Sequence, residues 1–95
     1  MYRKKRFIIS YDITKDRTRS KVRNILTKYG TRIQYSCYIC EVTPKEKKSI
    51  LDEIREIIFK TDSVIWIPLS DQLLKSLEIQ GKCSIVFNDA SPKIF

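Results

Sequence analysis

The run Arg-Phe-Ile-Ile-Ser-Tyr-Asp, residues 6 to 12, constrains the fold more than any other stretch of this chain. Its β-branched and aromatic side chains follow one another with hardly a polar break, the composition of a central strand covered on both faces. Such a strand needs neighbours on either side and a layer above it, and the following sequence has the periodicities to supply them. Residues 17 to 29 set Val22, Ile25, Leu26 and Tyr29 at i, i+3, i+4 and i+7, an amphipathic helix with Asp16 as the expected N-cap and Gly30 as its stop. Residues 32 to 42, Arg-Ile-Gln-Tyr-Ser-Cys-Tyr-Ile-Cys-Glu-Val, are rich in strand formers but longer than an average strand. They read as two short strands meeting near Ser36 and Cys37, with one long bent strand as the alternative.

Thr43, Pro44 and Glu46 form a capping box: a hydroxyl at the N-cap, proline at the first helical position, and an acid three residues after the cap. The helix so opened is expected to bury Ile50, Leu51, Ile54, Ile57 and Ile58. Residues 64 to 69, Val-Ile-Trp-Ile-Pro-Leu, form a further strand that Pro68 confines to a sheet edge or a strand end. The order is an α+β, ferredoxin-like βαββαβ sandwich, with two helices on one face of an antiparallel sheet, in a single domain over residues 1 to 95. Residues 79 to 87 are left over as an extra C-terminal strand, joined through a linking segment around Leu73, Leu74 and Leu77. A strand beyond a completed sheet has to pair with an exposed edge, and the expectation is that it adds to the sheet of a partner in a two-fold homodimer. Pairing within the chain is the alternative.

Charge narrows the partner. Residues 1 to 32 carry eleven Lys and Arg against Asp12 and Asp16, a balance of +9, whereas the rest of the chain, with eight cations and nine anions, sums to −1. So uneven a distribution points to a polyanion, and to nucleic acid in particular, over an evenly solvated basic surface. No apolar run approaches the roughly 20 residues of a membrane-spanning helix, so no membrane partner and a cytoplasmic location are expected. Three cysteines, Cys37, Cys40 and Cys83, suit reduced thiols better than a disulfide framework. The chain has no histidine, which excludes histidine-based nucleophile triads, histidine-ligated zinc and a histidine general base.

Chemistry therefore has to come from carboxylates, phenols, cations or a bound metal, and Asp12 is the sharpest candidate. A carboxylate at the end of a strand beside a loop suits a hard divalent cation, which takes one or two carboxylates along with waters and phosphate oxygens. One aspartate is not a site, but a symmetry-related copy would supply the second. The residues alone leave Asp12 equally readable as a turn former that bonds its own backbone. Lys15, Arg17, Arg19, Lys21 and Arg23 run from the loop into the start of the helix, where cations oppose the helix dipole. Placed there, they read as phosphate contacts. Arg3, Lys4, Lys5 and Arg6 either extend that surface or keep the terminus soluble. Cys37 and Cys40 spell a C-x-x-C pair, but on a strand they face opposite ways and lack partners for a tetrahedral site, so they read as packed thiols. Tyr35, Tyr38 and Trp66 would stack on bases only if exposed, and on strands they are expected in the core.

The strand end Tyr-Asp-Ile, the helix start Arg-Thr-Arg-Ser-Lys-Val, and the segments Tyr-Gly-Thr-Arg-Ile-Gln-Tyr-Ser-Cys-Tyr and Asp-Ser-Val-Ile-Trp-Ile-Pro-Leu together resemble the CRISPR-associated protein two family, from about residue 7 to residue 87. The resemblance implies a ferredoxin-like homodimer sealed by exchanged C-terminal strands, with Mg²⁺ held between two copies of the strand-ending aspartate, here Asp12. It implies a role in spacer acquisition as partner of the CRISPR integrase, either as a scaffold holding duplex DNA or as a metal-dependent nuclease on RNA or double-stranded DNA. Tyr11, Asp12, Arg19, Lys21, Arg32 and Tyr38 match positions associated with the family's site. In the enzyme version Asp12 binds metal, Arg19 and Arg32 neutralise developing charge, and Tyr11 and Tyr38 complete the site. Lys21 stands where some members have arginine, Tyr38 where phenylalanine is usual, and Ile39 where glutamate is frequent. The virulence-associated protein D ribonucleases, which also begin on an aspartate-ended strand, are the nearest competing family.

Overall fold

The computed structural model describes residues 3–83 and 93–95. Strand β1 (Lys5–Asp12), helix α1 (Asp16–Thr27), strands β2 (Gly30–Gln34) and β3 (Cys37–Val42), helix α2 (Pro44–Ile57) and strand β4 (Ser63–Leu69) follow in the expected order. The sheet runs β2-β3-β1-β4 with every neighbouring pair antiparallel, the ferredoxin-like topology. The apolar run is central, Phe7 lying between Cys40 and Pro68, and β4 with its proline takes an edge.

Both long helices cover one face. Phe7, Ile9 and Tyr11 of β1 and Tyr38, Cys40 and Val42 of β3 meet Val22 and Leu26 of α1 and Ile50 and Ile54 of α2 in the main core. The intervening residues face the other way, as strand alternation dictates. There a smaller cluster of Ile39, Leu69 and Leu74, flanked by Ile8, Ile33, Leu77 and Ile79, lies under helix α3 (Asp71–Ser76). The rest of this open face is less covered: Ile65 is 57% and Ile67 46% exposed.

Several local expectations shift. Asp16 is not the cap of α1: Lys15 occupies that position without a side-chain bond, and Asp16 pairs with Arg19 one turn on. Gly30 does not stop the helix but begins β2, where a Cβ would sit 2.7 Å from the Cα of Cys40, so its use is close strand approach. The capping box of α2 is present in full, with Thr43 Oγ1 accepting from Glu46 N at 3.1 Å and Glu46 accepting from Thr43 N at 2.9 Å. That amide holds the Glu46 carboxyl below its ordinary value of 4.5. Leu51, expected in the core, is exposed because it lies past the margin of the stripe formed by Ile50 and Ile54. The segment around Leu73 and Leu74 is helical, capped by Ser70 Oγ, which accepts from Leu73 N at 3.1 Å.

Arg6 fastens this segment to the sheet. Nearly buried between Glu41 and Leu69, it pairs with Glu41 at 3.1 Å and with Asp71 at 2.6 Å. Of the strand expected over residues 79 to 87, residues 84 to 87 lie outside the described residues. Strands β5 (Glu78–Ile79) and β6 (Lys93–Ile94) pair in parallel. Among the described residues no helix is long and apolar enough to cross a membrane.

Candidate nucleic-acid interface

Three connections meet at one end of the sheet. Asp12 pairs with Ser63 at the start of β4, and Tyr11 N donates to Ser36 O at 3.0 Å, so the β1–α1 loop, the β2–β3 turn and the α2–β4 loop are neighbours. The β1–α1 loop is held from both sides. Arg19 Nη1 donates to Ile13 O at 2.6 Å and to Thr14 O at 2.9 Å, while the carboxylate of Asp62 accepts from Thr14 N at 3.2 Å and from Phe59 N at 2.9 Å. Lys15 lies 4.2 Å from the centre of the Phe59 ring.

On this frame the residues singled out from the sequence divide into groups. Asp12 is exposed at the end of β1, and among the described residues its carboxylate makes no hydrogen bond or ion pair, so its turn-former reading finds no support here. Tyr11, next to it, points to the opposite face. Its ring stacks on Tyr38 with centroids 6.5 Å apart, and its hydroxyl donates to Tyr35 O at 3.4 Å. Both tyrosines are buried among the helices, so the structure brings them to each other rather than to Asp12. Burial, with Tyr38 alongside, pushes the Tyr11 phenol above its ordinary value, against the nearby charges of Arg23 and Arg32. It is thus a hydrogen-bond donor at neutral pH.

The cations also separate by role. Arg19 is committed to the loop carbonyls and Asp16, which makes it a positioning residue for the loop. Arg23 donates to Ser20 Oγ at 3.1 Å. Lys15, Arg17 and Lys21 are exposed, and Arg17 and Lys21 make no hydrogen bond or ion pair among the described residues. Arg32, on the outer strand, lies over the ring of Tyr35 at 5.2 Å. With the start of α1 directed at the same place, this end of the molecule is a field of positive potential suited to phosphate.

The thiols behave as packed groups. Cys37 and Cys40 lie on opposite faces, and burial pushes the Cys40 thiol up to about 12. Trp66 is half-buried and meets Phe7 edge-on at 5.5 Å. A cavity of about 550 Å³ lies at the opposite end of the sheet, lined by Arg3, Lys4, Lys5, Pro68 and Ser70, away from Asp12. Sequence reasoning missed Asp62, whose place directly before a strand carried a weak loop-capping signal, and Asp71, whose partner lies 65 positions earlier. Among the described residues no group of three or more His, Cys, Asp or Glu side chains converges.

Comparison with known proteins is consistent with this geometry. The family model described as CRISPR associated protein Cas2 matches residues 5–76. A Synechocystis sp. protein, CRISPR-associated endoribonuclease Cas2 3, is 34% identical over 77 residues, spanning 80% of this chain and 84% of the relative. A Methanospirillum hungatei protein, CRISPR-associated endoribonuclease Cas2 2, is 39% identical over 59 residues, or 62% of this chain and 66% of the relative. Among solved structures, Streptococcus pyogenes Cas2 at pH 6.5 superposes with a TM-score of 0.65 and 30% identity, over 68% of this chain and 86% of that one. A chain of a partial Cas6-RT-Cas1–Cas2 complex gives 0.68 and 29%, over 75% and 79%. A protein with this fold, this aspartate-ended first strand and these matches belongs to the CRISPR-associated Cas2 family.

Proposed function

We propose that this chain acts in CRISPR adaptation, the acquisition of spacers, as a basic homodimer that binds duplex nucleic acid and bridges the CRISPR integrase. The observation that carries the reading is the cationic end of the sheet, where Lys15, Arg17 and Lys21 are solvent-facing on a loop and helix fixed by Arg19 and Asp62. A fixed backbone holding exposed cations tracks phosphates without reading bases. The Cas1–Cas2 assembly named for one structural relative supports the integrase as partner. The exposed Ile65 and Ile67 on the open face, and the edge position of β4, support a second copy as the other partner.

The binding reading is tested by salt dependence. Arg17→Ala is expected to weaken duplex binding similarly across sequences and to lower the slope of log K against log salt by about 0.9, the value for one phosphate contact. An unaltered slope would remove Arg17 from the interface, and weakening confined to one sequence would show base readout.

The unpaired state of Asp12 favours a second reading, Mg²⁺-dependent phosphodiester cleavage, which the relatives' endoribonuclease names also support. Within one chain the described residues gather no cluster of three such ligands, so the metal would be shared by Asp12 of two copies. Mg²⁺ held there would polarise the scissile phosphate and lower the pKa of the attacking water. The chain's own contribution is orientation: Arg19 and Asp62 fix the loop that follows Asp12, and Lys15 and Arg17 neutralise the flanking phosphates. Asp12→Asn is expected to abolish cleavage in the presence of Mg²⁺ and leave duplex affinity nearly intact. Cleavage at the wild-type rate by the rigorously purified variant would sink the enzyme reading and leave the binding reading standing.

A further inference from the structure

The outer strand β2 departs from regular pairing in one place. Arg32 lies opposite Tyr38 and Gln34 opposite Cys37, so two steps along β2 match one along β3, and Ile33 is the extra residue of a bulge. Tyr35 follows Gln34 directly, in the turn that joins β2 to β3. Ile33 joins the cluster on the open face, and Arg32, which shares a side with its buried partner Tyr38, meets Tyr35 with its guanidinium 5.2 Å from the ring centre. The pair is presented outward: Tyr35 is 63% exposed, although its strand neighbours suggest core. The main chain of the turn that carries it is held in place, because Tyr11 donates from its hydroxyl to Tyr35 O and from its amide to Ser36 O.

An exposed aromatic ring beside a cation recognises the π-face of a nucleobase together with the phosphates next to it. Stacked bases in a duplex do not offer that face, and unpaired ones do. We propose that Tyr35 and Arg32 form a stacking platform for an unpaired base of single-stranded nucleic acid, on the helix-covered side of the sheet and separate from Asp12. The platform rests on the reading that nucleic acid is the partner, and it adds to the duplex surface a place for a strand that leaves the duplex. A second copy seated on the open face would leave it accessible.

The test uses labelled oligothymidylate, oligouridylate, an abasic strand of equal length and charge, and a duplex, each titrated against the full chain. Wild-type protein is expected to bind the base-bearing strands more tightly than the abasic one. Tyr35→Ala should cut base-bearing affinity by about 5-fold to about 100-fold, leave the abasic strand and duplex unchanged, and have its loss avoided by Tyr35→Phe. The ring is exposed and only its backbone oxygen is used by Tyr11, so the alanine variant keeps the fold, which circular dichroism would check. A fall for both base-bearing strands marks stacking on bases in general, and a fall for one assigns the platform to DNA or to RNA. Equal binding of oligothymidylate, oligouridylate and abasic strand by wild type, or unchanged binding by Tyr35→Ala, would overturn the platform. Parallel losses on abasic strand and duplex would overturn it too, as a loss of charge or fold. Absence of duplex binding with base discrimination intact would instead overturn the duplex reading alone.

Discussion

The two faces of the one sheet are built from alternate residues of the same strands, yet they have different uses. The helix-covered face is closed: Ile9, Tyr38, Cys40, Leu26 and Ile50 are all 2% exposed or less. The other face carries Arg6, Ile8, Ser10 and Asp12 from the same strand, has only a six-residue helix over part of it, and leaves Ile65 and Ile67 in solvent. Stability of the single chain therefore resides mainly on one side, and the uncovered apolar surface on the other.

Four substitutions sharpen or break that division. Leu26→Ala, in the closed face, should cost about 2–5 kcal/mol through lost burial and the cavity left behind, read from urea unfolding of the monomer. A loss under about 1 kcal/mol would show that the helix layer is not where folding energy lies. Gly30→Ala forces a methyl against the backbone of β3 and should cost about 1–3 kcal/mol. If it proves neutral in the same measurement, the outer strand is looser than its pairing suggests. Thr43→Ala removes the cap of α2 at a cost of about 1 kcal/mol, measured as a lowered midpoint of denaturation. Changing Ile65 to Asp should leave monomer stability within about 0.5 kcal/mol and dissociate the proposed dimer, seen by sedimentation. A dimer that persists would move the interface off the open face.

Acid provides a separate probe of the closed side. Because the folded-state value of Glu46 is depressed, its contribution to stability is present above the ordinary value of 4.5 and is lost as pH falls through the folded value. Glu46→Gln should therefore flatten the part of the stability curve between 4.5 and the lower folded-state value, as followed by thermal melts across acidic pH. An unchanged curve would assign the acid sensitivity to other carboxylates.

What the residues made legible was whatever depends on neighbours in sequence. The apolar run of β1, the stripe of α1 and the Thr43–Glu46 box each specify their element through contacts within a few residues, and each element stands where the pattern put it, although β1 is fully buried on one face only. Asp12 could likewise be placed at a strand end from composition alone. Hidden were features that depend on chain segments meeting. Arg6 looked like part of a loose basic arm until Asp71 came to it, and Asp62 gave no sign of reaching Thr14, 48 residues away. Arg19 looked like a free phosphate ligand, but it lies where loop carbonyls need a donor, which an unfolded sequence cannot display. The bulge at Ile33 belongs to the same class, since a single extra residue carries no compositional mark yet brings Gln34 opposite Cys37.

Tyr11 and Asp12 are consecutive, one locked into the core and the other free in solvent. Their assignment rests on parity alone, so a one-residue deletion within the strand would exchange them, sinking a carboxylate among the helices and stranding a phenol outside. Insertions and deletions are thus far more dangerous here than substitutions. The apolar residues upstream of Asp12, though they touch no ligand, act as a counting device that sets where the acid emerges.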